Sequence, residues 1–500
     1  MSVEIADVRD MALAALANGG LEVYQRDGFL VDVLPEQPPR IRAFGQAHLK
    51  AMLTRVATWE RWDVKKEEYV PAVPSRDVVA ALHELGYWPG LPPLRGIVQA
   101  PTLRPDGSIL SAPGYDASTG LLFAPSAEYL PVPDKPTVSQ VREALQLLFE
   151  VVCDFPFAHD AGPAAWLAAL LTTIGRHAIP GPAPMFLFDA NVRGSGKTML
   201  ADLIHFIVAG AELEKTPQGK NAEEDEKRLL GLALAGVPMV LFDNCDRPFG
   251  NAVLDLALTS GVIRARMLGT NDMPRVLIVT TWFATGNNLR LVGDMVRRTL
   301  RIRLLSPEQR PEQRETFRHP RLRNWVLGHR PQLVQAALTL WRGYFVAGKP
   351  TQRMKLMGSF EEWSELVRGC LLWLDQPDPL DCNTVEHDDS DDEEALLPDL
   401  IEGWAELCQQ VGGPGFVSTG EAVRRLSVRS DGRWIFPLPR LRDALSEMFG
   451  PDLPDARRLG NKLKKYKDRN FGGRCLTTDR SNSAKGWKVQ EVAAQESNAH

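Results

Sequence analysis

Asn191-Val192-Arg193-Gly194-Ser195-Gly196-Lys197-Thr198 is the stretch that decides the fold. It follows a short apolar run at 185–188 and opens a segment, 198–208, with helical apolar spacing. A glycine loop between a strand and a helix lets backbone N–H groups close around phosphate oxygens. Gly194 and Gly196, flanking Ser195, give the backbone that freedom. Lys197 suits β- and γ-phosphates, and the Thr198 hydroxyl suits Mg²⁺. The usual pattern begins with glycine. This chain has Asn191, which tolerates a left-handed backbone better than most residues. The alternative, a glycine turn that only packs a helix on a sheet, is disfavoured by GSGKT in this context.

Downstream, the apolar run 239–242 ends in Asp243. A carboxylate at the tip of a buried strand, beside the strand of the glycine loop, reaches Mg²⁺ directly or through water. The next position, where a Glu would activate the attacking water, holds Asn244. A third apolar strand, 276–283, ends in Ala284-Thr285-Gly286-Asn287-Asn288. An amide there is placed to orient water against the γ-phosphate; Asn287 is the first choice and Asn288 the second. The alternative is two turn asparagines. Gly293 to Arg298 follows, and Arg297 or Arg298 suits an arginine finger reaching a neighbouring subunit. The plain reading of that pair is a solvated basic helix end. Strands at 239–242, 276–283 and 300–305, alternating with helices, predict an α/β fold with a mainly parallel sheet.

The whole chain has 500 residues, enough for about three domains. Hydrophobic residues make up 44% and charged residues 24%, which excludes a mostly disordered or fibrous chain. With a net charge of −5, any contact with nucleic acid must come from local basic patches. The six cysteines are scattered without a CxxC pair, against both disulfide and zinc frameworks and in favour of a cytoplasmic protein. MSVEIADVRD is too acidic and polar for a signal peptide, and the longest uncharged stretches are too short to span a membrane.

Residues 1–135 read as a mixed α+β domain, with a hairpin signal at Arg26-Asp27-Gly28 and a helix over 46–62. Ser75 is placed to cap a short helix, and Pro105-Asp106-Gly107 to form a turn. Residues 136–183 read as a helical collar, 184–310 as the nucleotide core and 311–380 as a helical subdomain. The acidic stretch within 381–396 reads as a solvated linker running into a helix that begins at Glu394. Residues 397–495 form a small C-terminal domain.

The order of glycine loop, strand-tip Asp, polar amide and Arg pair resembles an AAA+ ATPase. Its compact spacing resembles the superfamily 3 helicases of viruses and plasmids. PGYDASTGLLF (113–123), DFPFAHDAG (154–162), GSGKTMLADLI (194–204), VLFDNCD (240–246), ATGNNLRLVGDMVRR (284–298) and GSFEEWSELVRG (358–369) are similar to the helicase part of phage and mobile-element primase–helicases. The resemblance spans about residues 95–375. It implies a ring-forming, DNA-translocating ATPase, a homo-hexamer in expectation. It places ATP on Lys197 and Thr198, Mg²⁺ on Thr198 and Asp243, sensing on Asn287, and the finger on Arg297 or Arg298. Asn191 and Asn244 depart from the family pattern. The second leaves the base open, with Asp246, Glu223 and Glu224 as substitutes. Residues 1–135 hold no paired-acid motif, so priming is not expected of this chain; a separate primase or replication initiator is the expected partner.

Two basic clusters are candidates for DNA. The resemblance implies that a hairpin in 260–279 carries Arg264 and Arg266 into a central channel, with Arg275 a weaker candidate; solvated surface arginines are the alternative. Arg457, Arg458, Lys462 and Lys465 lie on a predicted helix, 457–469, followed by two strands within 472–489. A helix followed by a two-stranded wing resembles a winged helix, whose basic helix would enter the major groove. An earlier helix is predicted over 439–448, with Pro439 in its first turn. The combined expectation is an ATP- and Mg²⁺-dependent helicase or translocase acting on single-stranded or forked DNA. A DNA-bound initiator or loader with little turnover is the first rival, and an ATP-sensing winged-helix transcription regulator the second.

Overall fold

The glycine loop emerges from a five-stranded, wholly parallel sheet in the computed structural model of the chain. The described residues are 5–219, 222–264, 275–306, 311, 314, 316–411, 415–426, 428–430, 433–435, 437–449, 453–467, 474–478 and 486–491. They divide into two compact units, Met1–Cys382 and Asn383–His500.

The first unit opens with α1 (Ile5–Asn18), β1 (Tyr24–Arg26), β2 (Phe29–Leu34), β3 (Arg40–Ala43) and α2 (Gln46–Val56). Asp27 and Gly28 both take positive φ, 49° and 85°, the geometry of a tight two-residue hairpin turn. α2 stops short of Trp59, whose indole N–H donates to Leu53 O at 3.1 Å. The chain continues as β4 (Glu60–Asp63), β5 (Glu68–Pro71) and α3 (Arg76–His83), capped by Ser75 Oγ accepting from Val78 N. Short strands follow: β6 (Gly96–Val98), β7 (Thr102–Leu103), β8 (Ile109–Leu110), β9 (Gly114–Asp116) and β10 (Leu121–Phe123). Asp116 accepts from Arg104, Ser118 and Thr119, and Tyr115 donates to Pro93 O, so both act in turns and packing.

Then come α4 (Val138–Glu150), α5 (Gly162–Gly175), β11 (Met185–Ala190), α6 (Lys197–Val208) and β12 (Lys215–Thr216). They continue into α7 (Ala222–Ala235), β13 (Met239–Cys245), α8 (Ala252–Thr259), β14 (Val262–Arg264) and β15 (Arg275–Leu277). β16 (Thr281–Asn287), α9 (Met295–Arg298), β17 (Thr299–Leu304), α10 (Leu322–Gly328) and α11 (Arg330–Val346) follow. The unit closes with α12 (Glu361–Trp363) and α13 (Gly369–Trp373), joined by a π-helical turn. The sheet order is β12-β13-β16-β11-β17. Two expectations are corrected here. The run 276–283 is not one strand: β15 pairs with β14 in a separate hairpin, and the chain turns before β16 enters the sheet. β13, which carries Asp243, is not beside β11, because β16 lies between them.

α5 is apolar all round, and every residue but Pro163 is buried. It sits in one hydrophobic core with α4, α6, α11 and the sheet. Three tryptophans anchor that core with their N–H groups satisfied: Trp166 to Leu200 O, Trp341 to Leu171 O and Trp363 to Thr172 Oγ1. Truncating one such ring to alanine costs about 3–5 kcal/mol. Arg330, nearly fully buried, donates to Ile207 O and Val208 O at 2.9 Å each and so caps the C-terminus of α6.

The second unit contains α14 (His387–Gln410), β18 (Val417–Ser418), α15 (Thr419–Arg425), β19 (Val428–Ser430), β20 (Arg433–Ile435), α16 (Pro439–Phe449), α17 (Ala456–Lys465), β21 (Arg474–Thr478) and β22 (Gly486–Glu491). The acidic run is helical from His387, so the helix expected from Glu394 starts seven residues earlier. α14 crosses α16 closely: a Cβ at Gly403 would meet Leu441 N at 2.7 Å. β18, β22 and β21 form an antiparallel sheet in that order, and Trp404 donates to Trp487 O across the core.

Candidate nucleotide site

Gly194 and Gly196 adopt φ of 78° and 89°, a region that L side chains avoid. At Gly196 a side chain would also come 2.8 Å from the Phe155 ring. Ser195 donates to Val192 O at 2.7 Å and folds the loop on itself. Asn191 is not left-handed, contrary to the expectation. Its amide instead makes two hydrogen bonds to the backbone of Ser306, donating to its carbonyl and accepting from its N–H, both at 3.1 Å. Glycine could not tie the loop to the end of β17 in that way.

α6 begins with two of the residues expected at the site, Lys197 and Thr198. Lys197 donates to Asn287 Oδ1 at 2.7 Å. It is 8% exposed, and burial pulls its pKa down while Asp189 and Asp243 oppose the shift. Thr198 donates to Asp243 Oδ1 at 2.8 Å, and Thr285 donates to the same oxygen at 2.7 Å. Thr285 in turn accepts from Asn244 N at 2.7 Å. The interposed strand β16 thus touches both groups, the α6 lysine through Asn287 and the β13 carboxylate through Thr285. Asn288, the second choice for the amide, takes a left-handed turn and accepts from Arg303.

Among the described residues no group of three or more His, Cys, Asp or Glu side chains gathers as a metal site. Mg²⁺ does not need one, since it binds through one or two carboxylates, waters and substrate phosphates. Asp243 and the Thr198 hydroxyl, already in contact, fit that donor set. Asn244 is exposed and left-handed at φ 53°, a conformation in which Asn is enriched, at a break in the β13–β16 register. It supplies no carboxylate. Glu223 pairs with Lys227, Glu224 with Arg228, and Asp246 lies 3.7 Å from Arg247.

Arg297 and Arg298 have separate surroundings. Arg298 is 12% exposed, bound to Asp294 at 2.7 Å and to the backbone carbonyl of Asp255 on α8. Arg297 is 64% exposed and pairs across the surface with Asp294 at 2.8 Å. Arg264 lies on β14 opposite Arg275, but its side chain and Arg266 lie outside the described residues. On α17, Leu459 and Leu463 face the core while Arg457 and Arg458 are exposed. Arg458 and Lys462 stand over the Phe449 ring at 5.7 and 5.8 Å. The side chain of Lys465 lies outside the described residues.

Two features of the site have little or no signature in the sequence. Asp189 is fully buried on β11, accepts from Leu289 N at 3.1 Å and lies 3.8 Å from Arg301. Burial raises its pKa, and Arg301 opposes that. The second is a cavity of about 720 Å³ against the glycine loop, lined by Phe155, Gly196, Met199, Phe317 and Leu322 with Arg321 and Arg323 at its edge. The DFPF segment is its only sequence signal.

No family model matches the chain, and no curated protein does. Among solved structures it is similar to the C-terminal region of NrS-1 in an apo form: 12% identity, 96% of this chain and 99% of that one, TM-score 0.39. It is similar to SCCmec type IV Cch, described as an active helicase: 13% identity, 94% and 98% coverage, TM-score 0.33. It is also similar to JCV helicase: 16% identity, 47% and 67% coverage, TM-score 0.22.

Proposed function

We propose that the chain is an ATP- and Mg²⁺-dependent DNA helicase or translocase of phage or mobile-element replication, with an AAA+ core that works as a hexameric ring. One observation carries this reading. Lys197 to Asn287, and Thr198 to Asp243 to Thr285, join the glycine loop, the acidic strand tip and the polar strand tip by hydrogen bonds. ATP phosphates would lie on the N–H groups of Gly194 to Thr198 at the N-terminus of α6, with the base in the apolar cavity beside Phe155. Bound at Thr198 and Asp243, Mg²⁺ would neutralise charge developing on the phosphates. Lys197 would leave Asn287 for the γ-phosphate, freeing that amide to orient the attacking water. Arg297, the exposed member of its pair, would be the finger, and Arg298 holds α9 against α8.

The second unit would be the DNA-binding domain. Its sheet order and the amphipathic α17 ahead of the β21–β22 hairpin support a winged helix, with Arg457, Arg458, Lys462 and Lys465 on phosphates. Among the described residues no helix is long and apolar enough to cross a membrane. Asn244 favours a second reading, an initiator or loader that binds ATP and turns over little. Strand displacement on forked DNA with ATP and Mg²⁺ separates the two: the helicase unwinds the fork, whereas the loader binds it and leaves it paired.

A further inference from the structure

The β1–β2 turn reaches out of its own sheet into the nucleotide core. Arg26, its side chain 5% exposed, donates to Ala233 O at 3.2 Å and to Arg95 O at 3.1 Å, and pairs with Asp27 at 3.3 Å. Ala233 lies in the last turn of α7, where a cation suits the helix dipole. The guanidinium lies over Gly236, where a Cβ would come 2.7 Å from it. On the other side of the turn, Asp27 Oδ1 accepts from Leu277 N at 3.3 Å. Leu277 pairs with Val262 at the root of the β14–β15 hairpin.

These two contacts fall on the two arms that lead to the nucleotide site. From α7 the chain passes Gly236 to Pro238 and enters β13, which carries Asp243 and Asn244 near its end. From β15 it passes 278–280 and enters β16, which carries Thr285 and Asn287. Thr280 Oγ1 to Val237 O and Thr281 N to Pro238 O bind the arms together just behind the turn. The end of α7, which leads into β13, and β15, which leads into β16, are therefore both held by a single pair of residues from the N-terminal region.

We infer that Arg26 and Asp27 are positioning residues that hold the paired strands β14 and β15 in register with β13 and β16, so that DNA at β14–β15 and nucleotide at Asp243 respond to each other. This rests on the reading of the site as a DNA-stimulated ATPase. It gives residues 1–135 a part in that cycle. Among the described residues, no hydrogen bond or ion pair joins Asp27 to Lys197, Thr198, Asp243, Thr285 or Asn287.

The test uses the full chain with Asp27→Gly and Asp27→Asn. Both residue types tolerate the left-handed backbone at Asp27, so the turn survives. Asn keeps an acceptor for Leu277 N, and Gly removes it. In Asp27→Gly, amide exchange over 275–281 should quicken about tenfold, equivalent to about 1.4 kcal/mol. Basal hydrolysis and KM for ATP should be unchanged. The DNA-stimulated kcat should fall by about fivefold, the low end of energetic coupling between sites. Asp27→Asn should restore both protection and stimulation. Unchanged protection in Asp27→Gly overturns the inference. So does reduced protection with full stimulation, and so does an Asn variant as defective as the Gly variant. A wild type without DNA-stimulated hydrolysis removes the functional reading instead, and the exchange result then decides the joint alone.

Discussion

The candidate nucleotide site and the basic helix α17 carry charge in opposite ways. In the candidate site, Lys197, Thr198, Asp243 and Thr285 are partly or fully buried, and each is bonded to a named neighbour at 2.7–2.8 Å. On α17 the leucines face inward and Arg457 and Arg458 project into solvent. A buried constellation works by geometry, so removing one atom disables the set. A charged surface works by summed potential, so removing one residue weakens it by a share, and salt weakens it further. Substitutions in the two regions should therefore differ in kind as well as in size.

The largest effect tests whether the candidate site is complete within one subunit. Arg297→Ala should lower ATP turnover about 10³-fold with nucleotide affinity unchanged. Mixing it with Lys197→Ala subunits should restore part of the activity, because some interfaces then pair an intact site with an intact finger. Arg298→Ala should instead lower stability by about 1–3 kcal/mol, since it strips partners from Asp294 and Asp255. Equal kinetic losses for the two arginines would break the distinction drawn between them. A smaller loss is expected inside the candidate site. Thr285→Val removes one donor to Asp243 and the acceptor of Asn244 N, and should cost about tenfold in kcat.

On α17 the response should be graded. Arg457→Ala and Arg458→Ala should each lower the salt slope of DNA binding by about one unit, the share of a single phosphate, with hydrolysis in the absence of DNA unchanged. A collapse of binding from either one alone would mean that the helix reads DNA by geometry and not by summed charge. The smallest effect concerns pH. Burial, aided by Arg176, Arg26 and Arg95, lowers the pKa of His177 to about 3. Its folded pKa lies below the unfolded one, so the unfolded chain takes the proton first. Stability of the first unit is lost as pH falls below about 6.5, by at most about 1.4 kcal/mol per unit. His177→Gln should flatten that slope in thermal unfolding followed from pH 7 to pH 5.

Local structure is legible where one short segment decides it. The strand, glycine loop and helix around Gly194, the Ser75 cap and the turn at Asp27-Gly28 all depend on residues within a few positions of each other. What escapes is non-local. Asn191 invites a backbone explanation, but its partner Ser306 lies 115 residues away. The run 276–283 has no glycine or proline to mark its break, which is made by tertiary hydrogen bonds from Thr280 and Thr281 to the β13 arm. The order of a parallel sheet is set by crossovers, so nothing near Asp243 announces β16 between it and β11. Within the site, hydroxyl, carboxylate and amide are readable by residue type and spacing. Thr285 is not, because a threonine inside an apolar strand has the look of packing.

If Asp243, held by two threonine hydroxyls, serves ATP hydrolysis that DNA accelerates, turnover must depend on its charge. The decisive measurement is phosphate release by the full chain in Mg²⁺, with and without forked DNA, beside that of Asp243→Asn. Asn keeps the shape and the acceptor for Thr198 and Thr285 but loses the charge. Turnover should rise with DNA in the wild type and vanish in Asp243→Asn with the fold intact. Wild-type turnover in Asp243→Asn, or none in the native chain with DNA present, would contradict it.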